Sequence, residues 1–150
     1  GYEEALRNAG ISPRNDRIAT GQTEKHAGFS EESGYEAAAS LLRTSPEVTA
    51  VFASSDVQAI GAWQALRHEG YSVPDDVALI GYDDIKISRF IGLSSVAQNM
   101  HDIGERATDL LLDRLRHTGP ADVFSELVTP EPVARASSGG PTSSDVYSDV

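Results

Sequence analysis

Residues 49–84 constrain the fold more than any other stretch of this chain: TAVFASSDVQAIGAWQALRHEGYSVPDDVALIGYDD. The β-branched and aromatic run 49–53 predicts a buried strand. Ala59, Ile60, Trp63 and Leu66 recur at helical spacing, with Asp56 as the expected cap and Gly70 as the stop. Val73-Pro74-Asp75-Asp76 reads as a turn, and 77–80 as a second strand that Gly81 ends. A strand–helix–strand crossover of this kind is almost always right-handed, so the two strands run parallel. Their polar ends, Ser54-Ser55-Asp56 and Tyr82-Asp83-Asp84, then share one sheet edge. In open α/β sheets that edge is where small ligands bind.

The flanking sequence extends the alternation. Tyr2, Ala5, Leu6 and Ala9 lie on one helical face, and Gly10 and Pro13 end that helix. The run 16–21 (DRIATG) predicts a short strand. Ser30 caps a helix to about Arg43 that turns Tyr35, Ala38 and Leu42 inward. Beyond Asp84 the pattern loosens. Residues 85–92 read as short and irregular, 93–97 as a strand, 101–117 as a helix with Ile103, Ala107, Leu110, Leu111 and Leu115 inward, and 125–129 as a last strand. From Ser137 onward the Ser/Gly/Asp-rich tail (137–150) reads as disordered. The fold class is therefore α/β, a parallel-sheet, Rossmann-like subdomain with flanking helices.

Asp83 is the leading candidate site residue. A carboxylate just past a strand end can accept two hydroxyls or a ring N–H in a cleft, at about 1.5–3 kcal/mol per charge-assisted bond. The competing reading is a turn aspartate that caps local N–H groups; Asp84 fits that role better. Ser55 can point into the same cleft. Phe29 is either a stacking platform for a flat ring or sugar face, or a hydrophobic staple at the helix start. The four histidines have no metal-ligand spacing, and neither a phosphate loop nor a local Ser/His/Asp signature is present. No metal, cofactor or catalytic residue is assigned. With 23 acidic against 12 basic residues, net charge −11, the chain is a poor partner for a phosphate backbone. No apolar run approaches the roughly 18 residues of a membrane span. Absence of cysteine rules out disulfides.

Together these residues resemble the effector-binding domain of the LacI/GalR family of bacterial transcription regulators. The resemblance covers roughly residues 1–137. It rests on Gly1-Tyr2-Glu3-Glu4-Ala5-Leu6, on Gly28-Phe29-Ser30-Glu31-Glu32-Ser33-Gly34-Tyr35, and on AVFASSDVQAIG over 50–61. Its most specific piece is GYSVPDDVALIGYDD over 70–84. Gln98, Gly104, Ala107 and Leu111 continue it, and Val133-Ala134-Arg135-Ala136-Ser137 closes it. It implies half of a periplasmic-binding-protein-like type I fold, with residues 1–136 as a partial effector-binding domain. Phe29 would stack on the effector, Asp83 would bind its polar edge, and Ser55 would contact it. Gln98 would lie at the crossover between subdomains. Helix 56–69 and segment 85–91 would sit at a homodimer seam, with Ile60 and Ile91 as contacts.

The resemblance implies a cytoplasmic, non-enzymatic regulator that responds to a sugar or nucleoside, needs no cofactor, and meets DNA only through a helix-turn-helix upstream of Gly1. Two departures are visible. The segment Gly92-Leu93-Ser94-Ser95-Val96-Ala97-Gln98 lacks the family's proline. In the family, the helix like 101–117 belongs to an N-terminal subdomain, so its apolar stripe is expected to pack on another chain or in a non-native place, and ligand affinity is expected to be weak. The alternatives are a periplasmic sugar-binding protein of a transporter and a receiver-like domain phosphorylated on Asp83. The wording VPDDVALIGYDD favours the regulator.

Overall fold

The computed structural model describes residues 1–20, 28–116 and 125–141. Its elements run α1 (Tyr2–Asn8), α2 (Glu31–Thr44), β1 (Ala50–Phe52), α3 (Asp56–His68), β2 (Ala78–Asp83), α4 (Lys86–Ile91), β3 (Ser94–Ala97), α5 (Met100–Arg116) and β4 (Glu131–Val133). The sheet order is β1-β2-β3-β4. The first three strands are parallel, with Phe52 opposite Ile80 and Ile80 opposite Ser94, so the expected crossover is present. β4 returns antiparallel to β3, pairing Val133 with Ser95.

The core lies where α2 and α3 meet the sheet. Ala38 and Ala39 of α2, Ala59, Ala62 and Ala65 of α3, Leu79 of β2 and Leu93 just before β3 belong to one cluster. Leu42, Val48, Leu66 and Val77 form a second at the N-terminal ends of the strands. α2 starts as predicted. The Ser33 N–H donates to Ser30 Oγ at 3.2 Å, and the Ser30 N–H donates back to Ser33 Oγ at 3.1 Å. Gly10 and Gly70 adopt the left-handed conformation that closes α1 and α3 (φ 74° and 86°).

Several expectations are corrected. The described part of 16–21, residues 16–20, does not form the expected strand. Asn15–Arg17 is a 3-10 turn, Ile18–Thr20 lie outside any strand, and Gly21 falls outside the described residues. The local charge pairing accounts for this: Arg14 Nε and Nη2 clasp Asp16 at 3.0 and 2.5 Å, and Arg17 reaches Glu47 at 3.2 Å. The Arg14 hydrogen bond and charge hold the Asp16 carboxyl below its ordinary range. Gly81 does not end β2, which runs on through Asp83. Residues 86–91 are helical and close on Gly92 in the left-handed conformation. The last strand is 131–133, not 125–129. Pro132, which lacks an N–H, is accommodated because β4 is an edge strand.

The tail does not become disordered at Ser137. Ala136–Ser138 form a 3-10 turn, and Ser137 is wholly buried, its Oγ donating to Leu79 O at 2.6 Å and accepting the Ser94 N–H at 2.8 Å. Residues 142–150 lie outside the described part. α5 holds no buried residue; Leu111 is 59% and Leu115 72% exposed. Among the described residues nothing covers its apolar stripe, so Ile103, Ala107, Leu110, Leu111 and Leu115 are not buried as the inward reading had them. His117 lies outside the described residues.

Candidate functional site

The C-terminal ends of β1, β2 and β3 lie on one edge, and they deliver Ser54-Ser55, Asp83-Asp84 and Gln98 there. The best-defined contact is at the centre. Gln98 Nε2 donates to Asp83 Oδ1 at 2.5 Å. Asp83 has φ 109° and Asp84 φ 52°, a region that non-glycine residues seldom occupy. Such backbone persists only where the surroundings impose it, and it clusters at binding sites.

The surroundings here are specific. The Asp84 N–H donates to Ser95 Oγ at 3.0 Å, and its carboxylate meets Arg135 Nη1 at 2.6 Å. The Arg135 side chain is only 7% exposed and also donates to Leu93 O at 2.7 Å. Asp84 is therefore not a turn cap but half of a largely buried ion pair. That pair ties the segment after β2 to the segment after β4. Asp83 and Gln98 stay half-buried, open to solvent on one side.

At the neighbouring strand end, the capping assignment shifts by one residue. Ser55, not Asp56, is the N-cap of α3, accepting the Gln58 N–H at 3.2 Å. Only 7% of Ser55 is exposed. Asp56 points inward and is wholly buried. Its Oδ2 accepts the Ile85 N–H at 2.9 Å and the Ser88 hydroxyl at 2.6 Å, while Oδ1 accepts the Ser95 hydroxyl at 2.6 Å. Gly81 must lack a side chain, because a Cβ there would collide with Asp56 Oδ1.

Phe29 stands 77% exposed just before α2. Gln58 brings its segment to the same edge: Nε2 donates to Gly28 O, and Oε1 accepts the Ser54 hydroxyl at 2.5 Å. Phe29 and Ser54 also line an open cavity of about 780 Å³ beside β1, lined as well by Leu41, Val51 and Phe52. The structure thus joins Asp83 with Gln98, and Phe29 with Ser54, on one edge.

Ile60 and Ile91 sit apart from this edge. Both line a second open groove of about 720 Å³ with Trp63, Arg67, Tyr71 and Val73. Among the described residues, His101, Asp102 and Glu105 bring ligand-type atoms within 4.8 Å of one another, but all three are exposed in the first two turns of α5. Exposed groups of this kind are solvated.

The profile of the periplasmic binding protein-like domain family matches residues 1–138. The HTH-type transcriptional repressor CytR of Escherichia coli is 38% identical over 123 residues, covering 79% of this chain and 34% of CytR. The repressor PurR of Mannheimia succiniciproducens is 37% identical over 119 residues, covering 78% and 34%. Among solved structures, a complex of the transcriptional regulator CelR with cellobiose superimposes with a TM-score of 0.77 at 33% identity, covering 91% of this chain and 40% of that one. A LacI-family regulator from Corynebacterium glutamicum gives 0.74 at 32% identity, covering 91% and 51%.

The chain belongs to the LacI/GalR family. It spans about a third of the length of the curated relatives it matches. In this LacI/GalR chain the sheet edge is built in part on residues to which sequence reading gave no role at that edge. Asp56, Ser95 and Arg135 are far apart in sequence and act only once the sheet has formed. Gln58 carried a readable signal, since it lies one turn past Ser54.

Proposed function

We propose that this chain is part of the effector-binding region of a ligand-responsive transcription regulator, with a sugar or nucleoside as effector. Asp83 takes the ligand's hydroxyls or ring N–H, Gln98 orients Asp83 and adds its own amide, Ser55 contacts the ligand, and Phe29 stacks on the ligand's flat face. The observation that carries this reading is the Asp83–Gln98 pair, held at a strand edge on unfavourable backbone. The role needs no cofactor and no bond-making step, so the chain is read as a non-enzyme acting in the cytoplasm. The named relatives are transcriptional repressors, which supports a regulator over a transporter's binding protein.

Regulation follows by population shift. Ligand contacts favour one arrangement of a dimer, and DNA is reached by a segment outside this chain. The groove holding Ile60 and Ile91 is the proposed homodimer surface; Ile91 is 38% and the adjacent Ile87 45% exposed. An Ile91→Glu substitution should weaken self-association at least tenfold in sedimentation equilibrium, because a carboxylate would be buried without a partner. Unchanged association would remove the groove from the interface.

Calorimetry with ribose, cellobiose, cytidine and inosine tests the ligand reading. At least one should bind, in the millimolar range because Asp83 and Gln98 stay open to solvent, and Asp83→Ala should weaken it tenfold or more, about 1.4 kcal/mol. Four silent titrations, or an Asp83→Ala variant that binds as well as the parent, would sink the assignment.

A further inference from the structure

The buried carboxylate of Asp56 has no part in the proposed ligand contacts, yet it accepts three hydrogen bonds beside them. Its two oxygens face different elements. Oδ2 takes the Ile85 N–H and the Ser88 hydroxyl, so it holds the start of α4. Oδ1 takes the Ser95 hydroxyl from β3. Ser95 Oγ in turn accepts the Asp84 N–H. Asp84 and Ile85 are consecutive and immediately follow Asp83. The chain after Asp83 is therefore gripped at two successive N–H groups, once through Ser95 and once directly, by one carboxylate.

A helix cap does not explain this arrangement. Ser55 already caps α3. A buried carboxylate with three donors is costly to install in place of an apolar side chain. What the arrangement does produce is a fixed path for residues 83–85 at positive φ, and so a fixed direction for the Asp83 side chain toward Gln98. Those two anchors act beside the Asp84–Arg135 pair to hold φ 109° at Asp83 against ordinary extended backbone.

We propose that Asp56 is a positioning residue for Asp83: it fixes the backbone of Asp84 and Ile85, and thereby the orientation in which Asp83 is presented at the sheet edge. Through Ser88 the same carboxylate holds α4, which carries Ile91, so one group sets both the ligand edge and a wall of the groove. The inference rests on the reading of Asp83 as a ligand contact, but its test uses no ligand.

The readout is the Gln98 side-chain NH₂ pair in a proton–nitrogen NMR spectrum, which reports its bond to Asp83. Hydrogen exchange at the Asp84 amide and the melting temperature complete the set. The variants are Asp56→Asn, Ser95→Ala and, as control, Ser94→Ala. Ser94 is equally buried, but it bonds Arg135 backbone and Ser138 rather than Asp56. In Ser95→Ala, Asp84 exchange should rise tenfold or more, and the Gln98 NH₂ signals should move to free-amide positions. Asp56→Asn should do the same and also speed exchange at Ile85. Ser94→Ala should lower the melting temperature and leave Gln98 unmoved.

If Asp56→Asn does not fold, Ser95→Ala decides alone. Unmoved Gln98 signals in a folded Ser95→Ala protein would overturn the proposal and reduce Asp56 to a structural clamp. Failure of the ligand reading looks different: there Asp83→Ala binds as the parent does, while Gln98 still responds to Ser95→Ala.

Discussion

Gly61→Ala should lower the melting temperature of this chain by roughly 10 °C, while Gly104→Ala should leave it unchanged or raise it slightly. The difference is geometric. α2 and α3 approach through small residues, Gly34, Ala38 and Ala39 on one side and Gly61, Ala62 and Ala65 on the other. A Cβ on Gly61 would overlap the carbonyl oxygen of Glu31, and one on Gly34 the carbonyl of Gln58. Both obstacles are backbone, so no side chain can swing away, and the helices must separate. Overpacking of this kind costs about 3 kcal/mol, against a total stability of about 5–15 kcal/mol. At about 2–4 °C per kcal/mol for a chain of this size, the shift follows. Gly104 lies in the exposed α5 with open space around its Cβ position. There alanine gains up to about 1 kcal/mol of helix propensity. Thermal melts of the two variants by circular dichroism check the pair, and equal shifts would refute the close α2–α3 contact.

Arg135→Met is the second large effect, expected to cost about 3–5 kcal/mol because it strands the Asp84 carboxylate among buried groups. The guanidinium also leaves Leu93 O without its donor. Adding Asp84→Asn removes the uncompensated charge and, since asparagine tolerates the left-handed region, keeps φ 52° accessible. The double variant should therefore recover a substantial part of the loss, on the order of 1–2 kcal/mol in urea unfolding. No recovery would mean that Arg135 acts through packing rather than through Asp84.

The parts of this fold legible in the sequence are those set by neighbours in the chain. The Ser30 cap, the Gly10 and Gly70 stops and the β1–α3–β2 crossover all depend on spacings of a few residues. Asp83 followed from the same crossover. The Ser55–Asp56 pair shows where such reading stops. Both residues can cap a helix, and only the position of Ser88 and Ser95, 32 and 39 residues away, turns Asp56 inward and leaves Ser55 the cap. Arg135 is hidden for the same reason, since its side-chain partners, Asp84 and Leu93, lie just after β2 and just before β3. Residues 16–21 failed differently. Their Ile and Thr fit a strand, but the Arg14–Asp16 clasp and the Arg17–Glu47 pair favour a turn. β4 was misplaced because Glu131 and Pro132 carry little strand propensity and pair only as an edge.

The central claim is that the edge bearing Ser55, Asp83 and Gln98 meets a small polyhydroxy or nucleoside ligand. The most direct test is to map proton–nitrogen shifts of this chain during titration with ribose, cellobiose, cytidine and inosine. The account predicts that the largest changes fall on the Ser55 and Asp84 amides and the Gln98 side-chain NH₂. Changes confined to the Ile60–Ile91 groove or to α5, with that edge unmoved, would contradict it.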